Sequence, residues 1–391
     1  MGTCLRQAVK NKGRPCRYHG LSLFKHVSEQ RRRRLMHEFV APRLRLLPEL
    51  VRRGVFNPEP FTLIDVGCSL GLHPIWRRFG AGLRAYGFDP MIEEINRLTR
   101  EERHPNVHYH AAFIGLPDDH PFKRRQAEEQ PRYIPDNALS RACHKALRER
   151  NEKYRLRPGF KTGNFNWKGQ GLSEDVVSLS DFVKDHDVAY VDFIKIDTDG
   201  SDLEVAVSCE KMIEACSVLG FAIEANYVGS FYETENTFPN VDRFMRRQGF
   251  KLFQLSQARC ARTALPMPFR NPWPGQTRSG QVIWGDFLYL RDPADAEFSR
   301  HWTFNPTPHQ LLKLICLYEL FGLSDCAAEL AQARSDDLAD LVDVRRLLDT
   351  LTPPLNGAVL SHEAYLRTFY ASPEAFFPEA PGKGASSAQA G

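Results

Sequence analysis

With 391 residues, of which 42 % are hydrophobic and 26 % charged, the chain has a folded globular composition and room for one large α/β domain with additions. No apolar run approaches the roughly 18 residues a membrane span needs, and no secretory apolar segment opens the chain. The nine cysteines form no C-x-x-C pair or zinc-type cluster, which argues against both a disulfide framework and a structural metal site and leads to the expectation of a reducing cytoplasm.

The net charge of +4 is unevenly spread: residues 1–54 hold 14 Lys/Arg against 3 Asp/Glu, a local +11. That segment suits a solvated helix face or a docking face for an anionic partner such as RNA, a glycan or a membrane surface. Its start has the Gly2 of a myristoylation signal but Arg6 where Ser or Thr is required, so no lipid anchor is expected. Residues 1–20 read as poorly ordered. Residues 27–53 read as helical, with Leu35, Phe39, Leu46, Leu47 and Leu50 as an apolar stripe beside Arg31–Arg34. Phe61–Val66 is the first expected strand, a helix is expected to start near Gly71, and Ala85–Phe88, helix 91–101 and Val107–Phe113 follow. This alternation predicts βαβ units and a parallel sheet. Residues 116–172 form an insertion whose stretch 161–171 has the Gly, amide and aromatic mixture of a carbohydrate-contacting lid or of a plain surface loop. Later strands are expected at Val191–Ile196, Val218–Ala225, Lys251–Leu255 and Asp286–Leu290, the last two as an antiparallel edge pair around a Pro/Arg-rich loop. Helical periodicity returns over 308–350, and the tail from Pro381 reads as disordered. The organisation expected is thus 1–56 basic and helical, 57–292 the main domain, 293–380 a helical appendage, and 381–391 a tail.

The chemistry concentrates at strand ends. Leu63-Ile-Asp65-Val-Gly67-Cys68-Ser69-Leu70-Gly71 sits where the first strand turns, and its glycines allow a ligand close to the backbone. Ser69 and Leu72 break the G-x-G-x-x-G pattern, so the ligand need not carry a pyrophosphate. Asp65 is placed to meet a cationic amino group, and Asp89, ending the second strand, to accept ribose hydroxyls. An adenosyl sulfonium suits such a pocket. The third element, Lys195-Ile-Asp197-Thr-Asp199-Gly200-Ser-Asp202, brings Asp197 to the same crevice, while Asp199 and Asp202 suit helix capping.

These elements resemble the FkbM family of S-adenosylmethionine-dependent methyltransferases, whose motifs read D-V-G-A-N-x-G, F-E-P and K-I-D-x-E-G-x-E. The matches are Asp65, Val66, Gly67 and Gly71, then Phe88 and Pro90, then Lys195, Ile196, Asp197 and Gly200. The departures are Cys68 for Ala, Ser69 for Asn, and Asp89, Asp199 and Asp202 for three glutamates. The resemblance spans about residues 60–291. It implies a class I methyltransferase (Rossmann-like) fold, with seven mostly parallel strands carrying N-terminal and C-terminal helical additions. It also implies S-adenosylmethionine as methyl donor and O-methylation of a sugar, glycan or glycosylated natural product. Asp65, Gly67, Cys68, Ser69, Gly71, Asp89 and Ala112 form the expected cofactor set. Asp197 is the first candidate for base or acceptor-orienting group, Glu224 the second, with Lys195, His73 and His110 behind them. A divalent metal is not expected; Asp197, Glu224 and Asn226 are the set that would hold one. An RNA methyltransferase using the basic segment, or a catalytically silent nucleoside-binding domain, are the alternatives.

Overall fold

The computed structural model of the protein describes residues 43–129, 171–198, 200–262, 265–270, 276–295, 297–302 and 304–377. The expected features at 1–42, most of the 161–171 segment, Asp199 and the tail lie outside the described residues.

The sheet is built from β1 (Phe61–Val66), β2 (Leu83–Asp89), β3 (Val107–Ala111), β6 (Phe193–Ile196), β7 (Gly220–Asn226), β8 (Lys251–Leu255) and β10 (Gln281–Leu290). Its order is β3-β2-β1-β6-β7-β10-β8, with β9 (Ala258–Cys260) added on β10. Strands β1, β2, β3, β6 and β7 are mutually parallel, whereas β10 runs antiparallel to β7, β8 and β9. The expected edge pair is therefore present, but β10 enters the sheet between β7 and β8. All six residues of β1 are buried, as expected of a central parallel strand covered on both faces. β4 (Phe113–Ile114) and β5 (Val176–Val177) form a small separate parallel pair.

One face packs against α4 (Leu179–Asp185), α5 (Asp202–Ser208), α6 (Glu210–Ala215) and α7 (Phe238–Arg247), through Ile64, Val66, Ile194, Ile196, Phe221 and Phe287. The other face carries Phe61, Leu63, Phe193, Ala222 and Leu288 into a core shared with α1 (Leu46–Arg52) and with α9 (Pro308–Leu320), α10 (Ser324–Ala333) and α12 (Val344–Leu351). Helix α2 (Ile92–Glu101) lies beside β3, and α3 (Pro121–Glu129) and α8 (Phe298–His301) are short additions. Beyond α11 (Ser335–Leu338), the last helix is α13 (His362–Ala371).

No α-helix starts at Gly71. Leu70 and Gly71 both adopt positive φ (79° and 81°), Pro74 follows, and only a 3₁₀ segment, Trp76–Gly82, fills the crossover to β2. Helix α9 supplies cover on that face instead. It is mostly apolar and buried on every side from Gln310 to Leu320, which is the signature of a core helix. Two long-range polar contacts seat it. Lys313 Nζ, fully buried, reaches Asp192 Oδ2 at 3.1 Å, Glu59 Oε1 at 2.9 Å and Pro60 O at 3.0 Å. Glu319 accepts the backbone N–H groups of Arg45, Leu46 and Leu47 at 2.6, 2.8 and 2.9 Å, capping the first turn of α1 from 272–274 residues away.

Candidate active site

Strand register assembles the site. Tyr109, Gly87, Asp65, Lys195, Ala222 and Leu288 form one row across six neighbouring strands. Asp65 and Lys195 are thus side by side near the carboxyl ends of β1 and β6, and Lys195 Nζ lies 3.0 Å from Asp65 Oδ1 and 3.6 Å from Asp197 Oδ2. The same ammonium donates to Gly67 O at 2.9 Å and Val66 O at 3.3 Å. Burial alone would depress the Lys195 ammonium, but the Asp65 and Asp197 charges hold it well above the usual lysine value. Continuing the β6–β7 register, Ile196 against Ile223, by one residue brings Asp197 beside Glu224.

Gly67 turns the chain out of β1 at φ 78°, and a Cβ there would come within 1.8 Å of Asp197 O. Only glycine allows the β1 and β6 termini to approach so closely. After it, the loop spends its N–H groups on side chains: Ser69 N donates to Asp89 Oδ2 at 3.1 Å, Leu70 N to Glu94 Oε1 at 2.8 Å and Leu72 N to the Tyr109 hydroxyl at 3.3 Å. Glu94 and Tyr109 are absent from the sequence-derived site. Glu94 sits in the first turn of α2, five residues after Asp89, a position that also reads as ordinary helix-end charge. Asp89 Oδ1 accepts Met91 N at 2.9 Å; burial pushes its carboxyl up, and these N–H bonds restrain the shift. Cys68 is buried, and its thiol is pushed well up by that burial. Ala112 is buried just after β3.

Asp202 accepts Thr198 N (2.9 Å), Gly200 N (3.1 Å) and Asn236 Nδ2 (2.8 Å), so its carboxylate braces the turn ahead of α5 instead of capping the helix. Its burial, with the Asp197 charge nearby, pushes the carboxyl up to about 7 despite the Thr198 and Gly200 N–H bonds. Asn236 also receives Leu203 N at 3.2 Å, so it ties the β7 loop to the β6 turn. His110 lies away from this row, stacked on Phe88 at 5.2 Å and edge-on to Phe182 at 5.1 Å. His73 lies in the loop after Gly71, its Nδ1 accepting Ile75 N at 3.2 Å. Asn226 ends β7, its N–H donating to Asn236 O at 3.2 Å. Among the described residues no group of three or more His, Cys, Asp or Glu is placed to hold a metal ion.

The crevice is acidic: Lys195 pairs with Asp65 and Asp197, Asp89 and Glu94 accept N–H groups of the adjoining loop, and Glu224 lies at the end of β7, while Arg97 pairs with Glu94 and Glu101. This field favours a cationic ligand. Each Asp89 oxygen accepts one N–H of this loop region, and a carboxylate offers about four acceptor sites, so capacity remains for ribose hydroxyls. The residues therefore fit an adenosyl sulfonium.

A sheet in this strand order, with a glycine turn and acids at the carboxyl ends of adjacent strands, defines the class I methyltransferase fold. Residues 86–252 match the methyltransferase FkbM domain. Family and fold together support an S-adenosylmethionine-dependent methyltransferase. Similar solved structures include the TehB-like SAM-dependent methyltransferase from Corynebacterium glutamicum ATCC 13032 Kitasato, 9 % identical, covering 69 % of this chain and 99 % of that one at a TM-score of 0.25. Another is magnesium protoporphyrin IX methyltransferase (ChlM) from Synechocystis PCC 6803 with bound SAM, 10 % identical, covering 69 % and 94 % at a TM-score of 0.25. No curated protein matches the chain.

Proposed function

We propose that this methyltransferase methylates a hydroxyl of a sugar, glycan or glycosylated natural product. The observation that carries the reading is the pair of carboxylates at the carboxyl ends of β6 and β7, Asp197 and Glu224, with Asp197 steadied by Lys195 at 3.6 Å. A hydroxyl must lose its proton as it becomes an ether, and a fixed carboxylate at the acceptor end supplies that function.

The residues divide as follows. Asp89 binds the adenosine ribose, and the Gly67–Gly71 turn gives the ligand close access to the backbone. Bound S-adenosylmethionine supplies a methyl group activated by its sulfonium. Lys195 remains charged, so it is a positioning group that holds Asp65, Asp197 and the Gly67 turn together. Asp197 orients the acceptor hydroxyl and takes its proton, with Glu224 as its neighbour. Since methyl transfer is an in-line displacement, most of the rate enhancement comes from holding the acceptor oxygen in line.

The test is transfer of labelled methyl from S-adenosylmethionine to a panel of methyl glycosides and oligosaccharides, compared with bulk RNA. Label in a sugar hydroxyl is expected, and Asp197→Asn should lower kcat by about 10² with cofactor affinity nearly intact. Label in RNA alone would replace the reading with the RNA alternative. Loss of cofactor binding with unchanged turnover at saturation would make Asp197 a cofactor ligand.

A further inference from the structure

Two loops project beyond the carboxyl end of β7, and both hold apolar side chains out in solvent. The first, 227–237, carries Phe231, 87 % exposed. It is clamped: Ser230 N donates to Glu235 Oε2 at 2.6 Å, Asn240 Nδ2 to Tyr232 O at 2.7 Å, and Thr234 N to Glu129 Oε2 at 3.2 Å. The second connects β9 to β10. Because β10 is antiparallel to β7, with Trp284 opposite Asn226, the β9–β10 connection leaves the sheet at the same end. It exposes Leu265 (72 %) and Phe269 (39 %), and a bridge from Phe269 to Thr277 holds the latter in place. Tyr227 N donates to Ile283 O at 2.8 Å, and Val228 packs on Cys260 and Ile283, so the loops form one rim.

The two loops differ in charge: the first carries Glu233 and Glu235, whereas the second is basic. From residue 257 to residue 285 the sequence contains four arginines, at 259, 262, 270 and 278, and no acid. Arg259 bonds to Gly280 O and Gln257, and Arg262 to Gln281, all neutral partners. Held-out Leu and Phe side chains among arginines, on an otherwise folded surface, match what an anionic bilayer surface takes: apolar tips enter the acyl boundary while guanidinium groups stay with the phosphates. Leu265 gains from hydrocarbon and has no π face to stack on a nucleobase, which favours lipid over RNA.

We infer that the β9–β10 connection, with Leu265 and Phe269 among Arg259, Arg262 and Arg278, docks the protein on an anionic lipid surface. The docking is independent of which acceptor is methylated, because vesicle binding is read with no acceptor present.

The experiment is co-sedimentation of the full chain with phosphatidylcholine vesicles, with and without one-third phosphatidylglycerol, at low and high salt. Selective binding to the anionic vesicles, weakened by salt, is expected. Arg262→Gln with Arg278→Gln should lower partitioning about 25-fold, at about fivefold per arginine. Leu265→Ser with Phe269→Ser should lower it about tenfold or more. Both variants should keep the wild-type melting temperature, since the changed side chains are exposed. Equal binding to neutral vesicles, no binding, or wild-type binding by both variants would overturn the inference. So would an RNA homopolymer that binds as tightly and is lost in the arginine variant, with the apolar variant unchanged on both probes.

Discussion

Replacing Lys195 by methionine removes one ammonium and leaves the side-chain volume nearly unchanged. The group lost stands 3.0 Å from Asp65 Oδ1 and 3.6 Å from Asp197 Oδ2, and donates to Gly67 O at 2.9 Å. Asp65 is almost fully buried, so its carboxylate would lose its nearest cation without gaining water. Breaking a buried pair by deleting one partner costs about 3–5 kcal/mol. The slight exposure of Lys195 and Asp197 favours the lower part of that range, and the lost bond to Gly67 adds about 1 kcal/mol. A net loss of about 4 kcal/mol follows, or about 10 °C in Tm for a domain of this size. Urea unfolding of Lys195→Met, Asp65→Asn and the double variant measures it. The double variant should be more stable than the sum of the single losses predicts, by about 2 kcal/mol, because Asn no longer buries a charge. Additive losses, or a Lys195→Met variant within about 1 kcal/mol of wild type, would refute the claim that this ion pair holds the first and fourth parallel strand ends together.

The pair between α9 and the sheet predicts a parallel result: Lys313→Met should cost about 3–5 kcal/mol by chemical denaturation, and Lys313→Met with Asp192→Leu should recover most of it. His110 predicts a pH effect. Burial, with His186 and His108 nearby, depresses its imidazole from 6.5 to about 4, so the unfolded chain binds the proton more readily. The stability from His110 is present above about pH 6.5 and is lost as pH falls toward 4; His110→Phe should flatten that part of the stability curve, and superimposable curves would refute it.

The sequence alone determined the strand–helix alternation, the parallel centre of the sheet and the acids at the strand ends. These are local signals: apolar runs of strand length, Gly67 after Asp65, Asp89-Pro90 after an apolar run, and the Lys195–Asp202 motif. The helix expected at Gly71 failed for a local reason as well, since positive φ at Leu70 and Gly71 and the following Pro74 oppose helix nucleation. What only the tertiary structure decided are contacts between residues far apart in the chain. Lys313 stands inside the apolar run Leu311-Leu312-Lys313-Leu314-Ile315, where periodicity cannot say whether its amine snorkels to water or meets a buried partner; Asp192, 121 residues earlier, settles it. Glu319 reads as a charge on a helix until its carboxylate is seen capping Arg45, Leu46 and Leu47. The same holds for Glu94 at Leu70, for Asn236 at Asp202, and for β10 entering between β7 and β8. Periodicity encodes which side of an element is apolar, whereas the partner of a buried charge or the neighbour of an antiparallel strand depends on how distant segments pack, which no local pattern carries.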